Sequence, residues 1–368
     1  MNWFRGAAFA FVAMACSAPA VAQGIPGTRA YVEGRKGWEA LLDGRHQDAA
    51  VAFAAALEAE PRDPSLHLGA GTAAFLLGQP TAAQYSLERA LEIAPSLTNA
   101  SILLADILYR ASDIAGAIEV YESALKYAPG DKTVLARLDA LRREAAVHSD
   151  FLESHGAHFT VLFEGPADAE LANRAIEILE AAYWRVSTAL SIYPERTITV
   201  VLYTQEQFRD ITRSPQWAAA AYDGRIRIPV RGADADPREL ERVLIHEFTH
   251  ALVQSLAPRG VPVWLHEGLA VMFEPDGGAW SLEQLSKAPA RLPLQRLTDG
   301  FGELSGAEAR LAYAQSAAMV RALFDSGGPL AVGAVLQDIA RGDTFPAAFE
   351  RRMFMAYDTF IGGLEATP

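Results

Sequence analysis

Three prolines, Pro61, Pro95 and Pro129, stand 34 residues apart, and five other classes of position repeat at the same interval. Gly44, Gly78 and Ser112 form one class, and Ala49, Ala83 and Ala117 a second. Phe53, Leu87 and Tyr121 form a third, followed by Ala56, Ala90 and Ala124, and by Leu57, Leu91 and Leu125. A fixed period of this length constrains the fold more than any other feature of the chain. Each unit must be one supersecondary element that covers its apolar face only by stacking on the next. The chemistry of each class fits a pair of helices. The small residue near 44 turns the chain between them, the alanines permit close approach, and the aromatic or leucine fills the groove. The proline ends the second helix before the next unit begins.

This pattern resembles the tetratricopeptide repeat. It implies three units at 31–64, 65–98 and 99–132 with a capping helix over 133–147, an all-α superhelix spanning 31–147. Such a groove commonly holds a peptide or partner protein. No basic clamp stands out at the groove-facing positions, so the chemistry of the partner is left open, as is a plain packing role.

The N-terminus reads MNWFRGAAFAFVAMACSAPAVAQG. Arg5 is followed by an apolar run from Gly6 to Cys16, and Ala20-Val21-Ala22 offers small residues for cleavage. Residues 1–22 are therefore read as a signal peptide, with the protein exported to a bacterial periplasm or secreted and not stably inserted in a membrane after cleavage. Cys16 is the only cysteine, so the mature chain has neither disulfide nor thiolate ligand. A lipid anchor on Cys16 is disfavoured by the Ala-Met-Ala before it. The formal charge of −13 sets nucleic acid and anionic lipid aside as principal partners.

Beyond the repeats, HGAHFTVLF (155–163) and TITVVLY (197–203) read as strands, with a long helix over 168–192 between them and a short one over 205–212. YDGRIRIPV (222–230) begins at an Asp-Gly turn and alternates Ile with Arg, the pattern of an edge strand with one wet face. A helix over 237–257 follows, with Pro237 in its first turn and Asp236 or Asp234 as its cap. Strands followed by helices predict an α+β domain over 155–364. Residues 282–297 are broken by prolines and are expected to curl over a cleft. Helices are expected at 311–326 and 330–341, and a last helix pair over 346–364.

The stretch HEFTHALVQSLAPRGVPVWLHEGLA opens at His246. His246 and His250 are one helical turn apart on one face, so both imidazoles reach a single ion. Glu247 is rotated by about 100° from His246. It is placed to take a proton from water rather than to bind the same ion, the arrangement that zinc-dependent hydrolysis needs. A catalytic zinc wants a third protein ligand. Val263 to Phe273 is a second apolar helical pattern, able to fold back after Pro258, Gly260 and Pro262. It carries His266 and Glu267, and spacing alone leaves either as the third ligand. A carboxylate among Val263, Leu265, Leu269, Ala270 and Met272 is costly unless paired or bound to a metal.

His246 to Glu274 resembles the gluzincin metallopeptidases, in particular the peptidase MA-like family, often joined to tetratricopeptide repeats. The resemblance implies an α+β gluzincin domain of thermolysin-like type. It implies Zn2+ held by His246, His250 and Glu267, with Glu247 as general base. Glu274, seven residues after the third ligand, would orient a ligand from outside the donor set. His266 would then line the cleft or be a satisfied surface histidine. YAQSAAMVRAL, from Tyr313 to Leu323, is similar to a segment in which the tyrosine donates a hydrogen bond to the oxyanion of the tetrahedral intermediate. The Gly-x-Met-Glu-Asn strand of gluzincin aminopeptidases has no counterpart before His246, which argues against strict aminopeptidase activity.

These features predict an exported, zinc-dependent metallopeptidase that acts on a peptide or protein, with the repeats docking substrate or partner. Two other readings are a catalytically silent scaffold for envelope protein assembly, and hydrolysis of a non-peptide amide or a cell-wall crosslink.

Overall fold

The computed structural model describes residues 27–212, 221–222, 224–229, 236–298 and 300–365. The expectations for the signal peptide 1–22 with Cys16, and for Asp234 as a cap, lie outside them. The chain divides into two compact units, with the break between Ser149 and Asp150.

The described residues of the first unit are all α. Its helices are α1 (Arg29–Leu42), α2 (His46–Ala59), α3 (Pro64–Leu76), α4 (Pro80–Ile93), α5 (Thr98–Arg110), α6 (Ile114–Tyr127) and α7 (Lys132–His148). They pair in sequence order, as a stack of repeats requires. Gly44, Gly78 and Ser112 sit in the turns within the pairs with φ of 74°, 72° and 66°. This left-handed backbone explains why two of the three are glycine. The repeating alanines and the Phe53, Leu87 and Tyr121 class are buried. Phe53 shows why neighbouring positions stay small, since a Cβ added to Gly69 would lie 2.3 Å from its ring.

The second unit combines a five-stranded sheet with helices. Its strands are β1 (Phe151–His155), β2 (Phe159–Glu164), β3 (Ile198–Tyr203), β4 (Ala221–Tyr222) and β5 (Ile226–Pro229), in the order β1-β2-β3-β5-β4. Helix α8 (Ala169–Leu190) connects β2 to β3, and α9 (Gln205–Thr212) follows β3. Both β2/β3 and β3/β5 are parallel, while the outer pairs are antiparallel. The single strand expected over 155–163 is a hairpin instead. Its turn is closed by the Gly156 N–H donating to Phe159 O at 2.8 Å, and Glu180 of α8 accepts from the His158 backbone N–H.

The wet edge strand expected over 222–230 is also corrected. β4 pairs along the outer side of β5, and Arg225 and Arg227 are 2% and 1% exposed. Arg227 donates to the Tyr203 hydroxyl at 2.6 Å, with its guanidinium 5.8 Å from that ring's centroid. An Ile/Arg alternation normally marks a solvated face. Here the arginine stem and its planar head are packed on an aromatic neighbour.

Among the described residues the helices α10 (Pro237–Leu256), α11 (Val263–Phe273), α12 (Gly277–Lys287), α13 (Leu294–Thr298), α14 (Gly306–Ala340), α15 (Phe345–Met353) and α16 (Tyr357–Glu365) follow. Asp236 caps α10, accepting from the Arg238 N–H, with Pro237 in the first turn. Helix α14 opens on a capping box between Ser305 and Glu308 and breaks at Gly328 (φ 77°, ψ 164°), just before Pro329. Part of the segment expected to curl over a cleft is helix α12, packed on α14. Gly277 and Gly278 look like breakers in the sequence, but Gly277 serves close packing. A Cβ there would lie 1.8 Å from Val271 O.

Asp338 of α14 is fully buried and receives two hydrogen bonds from Arg352 of α15, at 2.7 and 2.8 Å. Arg341 and Arg351 also donate to it. The bonds from Arg352 hold its carboxyl far below the usual range against the opposing effect of burial, with Arg341 adding to them. A depressed carboxyl contributes stability above its unfolded value near 3.8 and loses it as pH falls toward the folded value. Asp338→Asn is expected to cost about 2 kcal/mol at neutral pH, the scale of a hydrogen bond to a charged group. Melting curves should show the gap from wild type shrinking steadily below about pH 4. A gap that stays constant down to pH 2 would count against this clamp.

Candidate metal centre

Helices α10 and α11 pack against each other and supply the site. His246 and His250 lie one turn apart on α10, with ring centroids 4.7 Å apart and planes at 87°, and their Nε2 atoms are 3.1 Å apart. Glu267 rises from α11, whose Trp264, Leu265, Leu269 and Ala270 are wholly buried. Its Oε2 lies 3.2 Å from His250 Nε2 and 3.8 Å from His246 Nε2. Three donor atoms about 2.1 Å from a common tetrahedral centre stand roughly 3.4 Å from one another. The observed spacings bracket that value. Glu267 Oε2 is buried and takes no hydrogen bond from the described residues, so an acceptor aimed at two imidazoles fits a cation between them. Two imidazole nitrogens and one carboxylate oxygen are also a donor set suited to zinc. Among the described residues these three are the group whose ligand atoms converge in this way.

The neighbours set the charge of each group. Burial works against a charge on His246, but the hydrogen bond and charge of Glu274, with Glu247 and Glu267, outweigh it and raise its pKa to about 9. Burial also opposes the Glu267 carboxylate, yet His250 and His246 bring it down to about 2. Glu247 is 8% exposed, and burial pushes its pKa up against the pull of His250 and His246. It stands outside the three converging donors. A buried carboxylate with a raised pKa is suited to accept a proton and give it back.

Glu274 lies 2.6 Å from His246 Nδ1, which leaves Nε2 to face Glu267. Its other oxygen accepts from Arg242 at 3.3 Å, and Arg242 also holds Glu239. Arg242 escaped the sequence reading, although its place four residues before His246 puts it on the same helix face. The Tyr313 ring, on α14, lies 6.2 Å from that of His246 and 5.2 Å from Phe301. The charge of Glu267, then burial and the charges of Glu247 and Glu274, raise its pKa well above 10, so its hydroxyl remains a donor. His266 is not among the converging donors. Its ring stacks on His250, centroids 4.5 Å apart and planes at 11°.

A helix crossing brings Glu267 and Tyr313 together. A Cβ on Gly268 would lie 2.3 Å from the backbone oxygen of Ser316, one turn after Tyr313. The small residues in Glu-Gly and Tyr-x-x-Ser therefore meet as the two sides of one contact. Backbone cannot yield as a side chain tip does, so Gly268→Ala is expected to destabilise by about 1–3 kcal/mol. A melting temperature within a degree of wild type would contradict so close a crossing.

The fold is that of a peptidase-like domain following tetratricopeptide repeats. The chain belongs to the Peptidase MA superfamily, whose family model matches residues 181–367, slightly more than half of the 368 residues. That match begins within α8, so β1 and β2 lie before it. A tetratricopeptide repeat model matches residues 74–141. Interferon-induced protein with tetratricopeptide repeats 3 of Mus musculus is 33% identical over 109 residues, 29% of this chain and 27% of that protein's length. A solved structure, the first tetratricopeptide domain of Spaghetti (RPAP3) bound to the HSP90 peptide SRMEEVD, is similar at 20% identity and a TM-score of 0.31. The likeness covers 33% of this chain and 99% of that one.

Proposed function

We propose that this protein is an exported zinc-dependent peptidase whose repeats dock its protein substrate or a partner. The observation that carries the reading is the convergence of His246, His250 and Glu267 at 3.1–3.8 Å, with Glu247 buried beside them. His246, His250 and Glu267 would hold the zinc, which when bound polarises a carbonyl and makes water a nucleophile near neutral pH. Glu247 takes the proton from the water that adds to the peptide carbonyl carbon. It returns that proton to the amine as the C–N bond breaks. The Tyr313 hydroxyl donates a hydrogen bond to the oxygen that gains charge at the tetrahedral stage, a role typically worth about 3–4 kcal/mol of barrier. Glu274, itself bonded to Arg242, holds the His246 ring in place. The leader-like residues 1–22 support export, and sequencing the N-terminus of the mature protein from cell fractions checks it.

The test is metal content of the purified mature chain after zinc loading and gel filtration, followed by cleavage of a peptide library. About one retained zinc per chain together with metal-dependent cleavage is expected. A chain that retains no zinc and cuts no peptide would leave a peptidase-like scaffold as the better description.

A further inference from the structure

The two histidines of the site are secured differently. His246 has Glu274 at 2.6 Å from its Nδ1. His250 is 6% exposed, and its Nδ1 is buried with no hydrogen-bond partner among the described residues. A ligating imidazole is ordinarily oriented through its second nitrogen, and no described side chain does this for His250. In its place is the ring of His266, nearly parallel to it at 11° with centroids 4.5 Å apart. The backbone that carries that ring is held in place. His266 lies in the first turn of α11, its N–H donating to Pro262 O at 3.0 Å, between the buried Leu265 and Glu267.

We propose that His266 is a positioning residue that orients His250 by ring stacking and keeps its Nε2 aimed at the donor set. The inference rests on the zinc reading above and assigns the residue immediately before Glu267 a role other than ligation. A flat ring lying against His250 resists rotation about its Cβ–Cγ bond, because turning would separate the two faces. Adjacent helical residues point about 100° apart, so α11 presents His266 to the His250 face while Glu267 reaches the nitrogen edge. One short segment thus supplies a donor and the support for another.

The test compares zinc affinity, by competition with a chelating indicator dye, in wild type, His266→Phe and His266→Leu. Phenylalanine keeps a flat face and has no donor atom, whereas leucine fills similar space without one. The Phe variant is expected to bind zinc nearly as tightly as wild type, and the Leu variant about 10–100-fold more weakly, the usual effect of losing a residue that supports a metal ligand. Equal affinity in wild type and Leu variant would overturn the proposal. So would a Phe variant as weak as the Leu variant, which would instead implicate a His266 nitrogen. Melting curves of the metal-free variants separate lost folding from lost orientation, since a packing defect alone lowers the melting point without this split between Phe and Leu. Failure of wild type itself to bind zinc would be a separate result, removing the metal reading and this inference with it.

Discussion

Replacing Glu247 by glutamine is expected to leave about one zinc per chain and to lower the rate of peptide cleavage by about 10²–10⁴-fold, the range for loss of a general base. The first half follows from position, because Glu247 stands outside the three converging donors. The second follows from chemistry. Glutamine has nearly the same shape and fills the same buried space, yet its amide cannot take a proton from water. The loss corresponds to roughly 3–5 kcal/mol of barrier. Single-turnover cleavage of a fluorogenic peptide, with metal content measured on the same sample, gives both numbers. A variant that keeps both zinc and full turnover would remove Glu247 from the mechanism. One that loses zinc would show that the carboxylate belongs to the donor set.

Glu267→Ala is expected to weaken zinc binding by more than about 100-fold, beyond the effect of losing a supporting residue. The carboxylate is the anionic member of the set, and the helix around it is largely apolar. Trp264, Leu265 and Leu269 around it are wholly buried and apolar. Glu267→Gln, which keeps an oxygen and loses the charge, should fall between. Zinc titration of the three proteins gives the order. Affinity in the Ala variant close to that of wild type would place the third donor elsewhere, and His266 stacked on His250 would be the first residue to examine.

Legibility in the sequence varied with the range of the interaction. The repeats were plain because each contact recurs every 34 residues, and the helix ends at Asp236 and Pro237 because caps act locally. His246 and His250 share a face by helical period alone. Spacing left His266 and Glu267 both open and only the family resemblance favoured Glu267; its convergence with His246 and His250 comes from the packing of α10 and α11. Arg225 and Arg227 misled because alternation reports side-chain polarity, whereas their burial depends on β4 and Tyr203. The turn at 156–158 is closed locally by Gly156 and Phe159, but Glu180, which accepts the His158 N–H from 22 residues away, is not visible in the local pattern. Asp338 likewise shows its meaning only when α15 brings Arg352 to it.

The indole N–H of Trp264 donates to the Tyr357 hydroxyl, 93 residues further on, among Phe345, Phe349 and Phe360. The repeats, by contrast, close contacts between helices that are neighbours in the chain. Local contacts form early and distant ones late. During synthesis the repeat unit therefore has what it needs to fold before most of the second unit has been made. The helix bearing Glu267 emerges with one flank bare and gains its cover only when the last helices appear. A nascent chain would hold two histidines in register without a settled third donor. Whatever chemistry the three support is thus deferred until Tyr357 and the helix that carries it have been made.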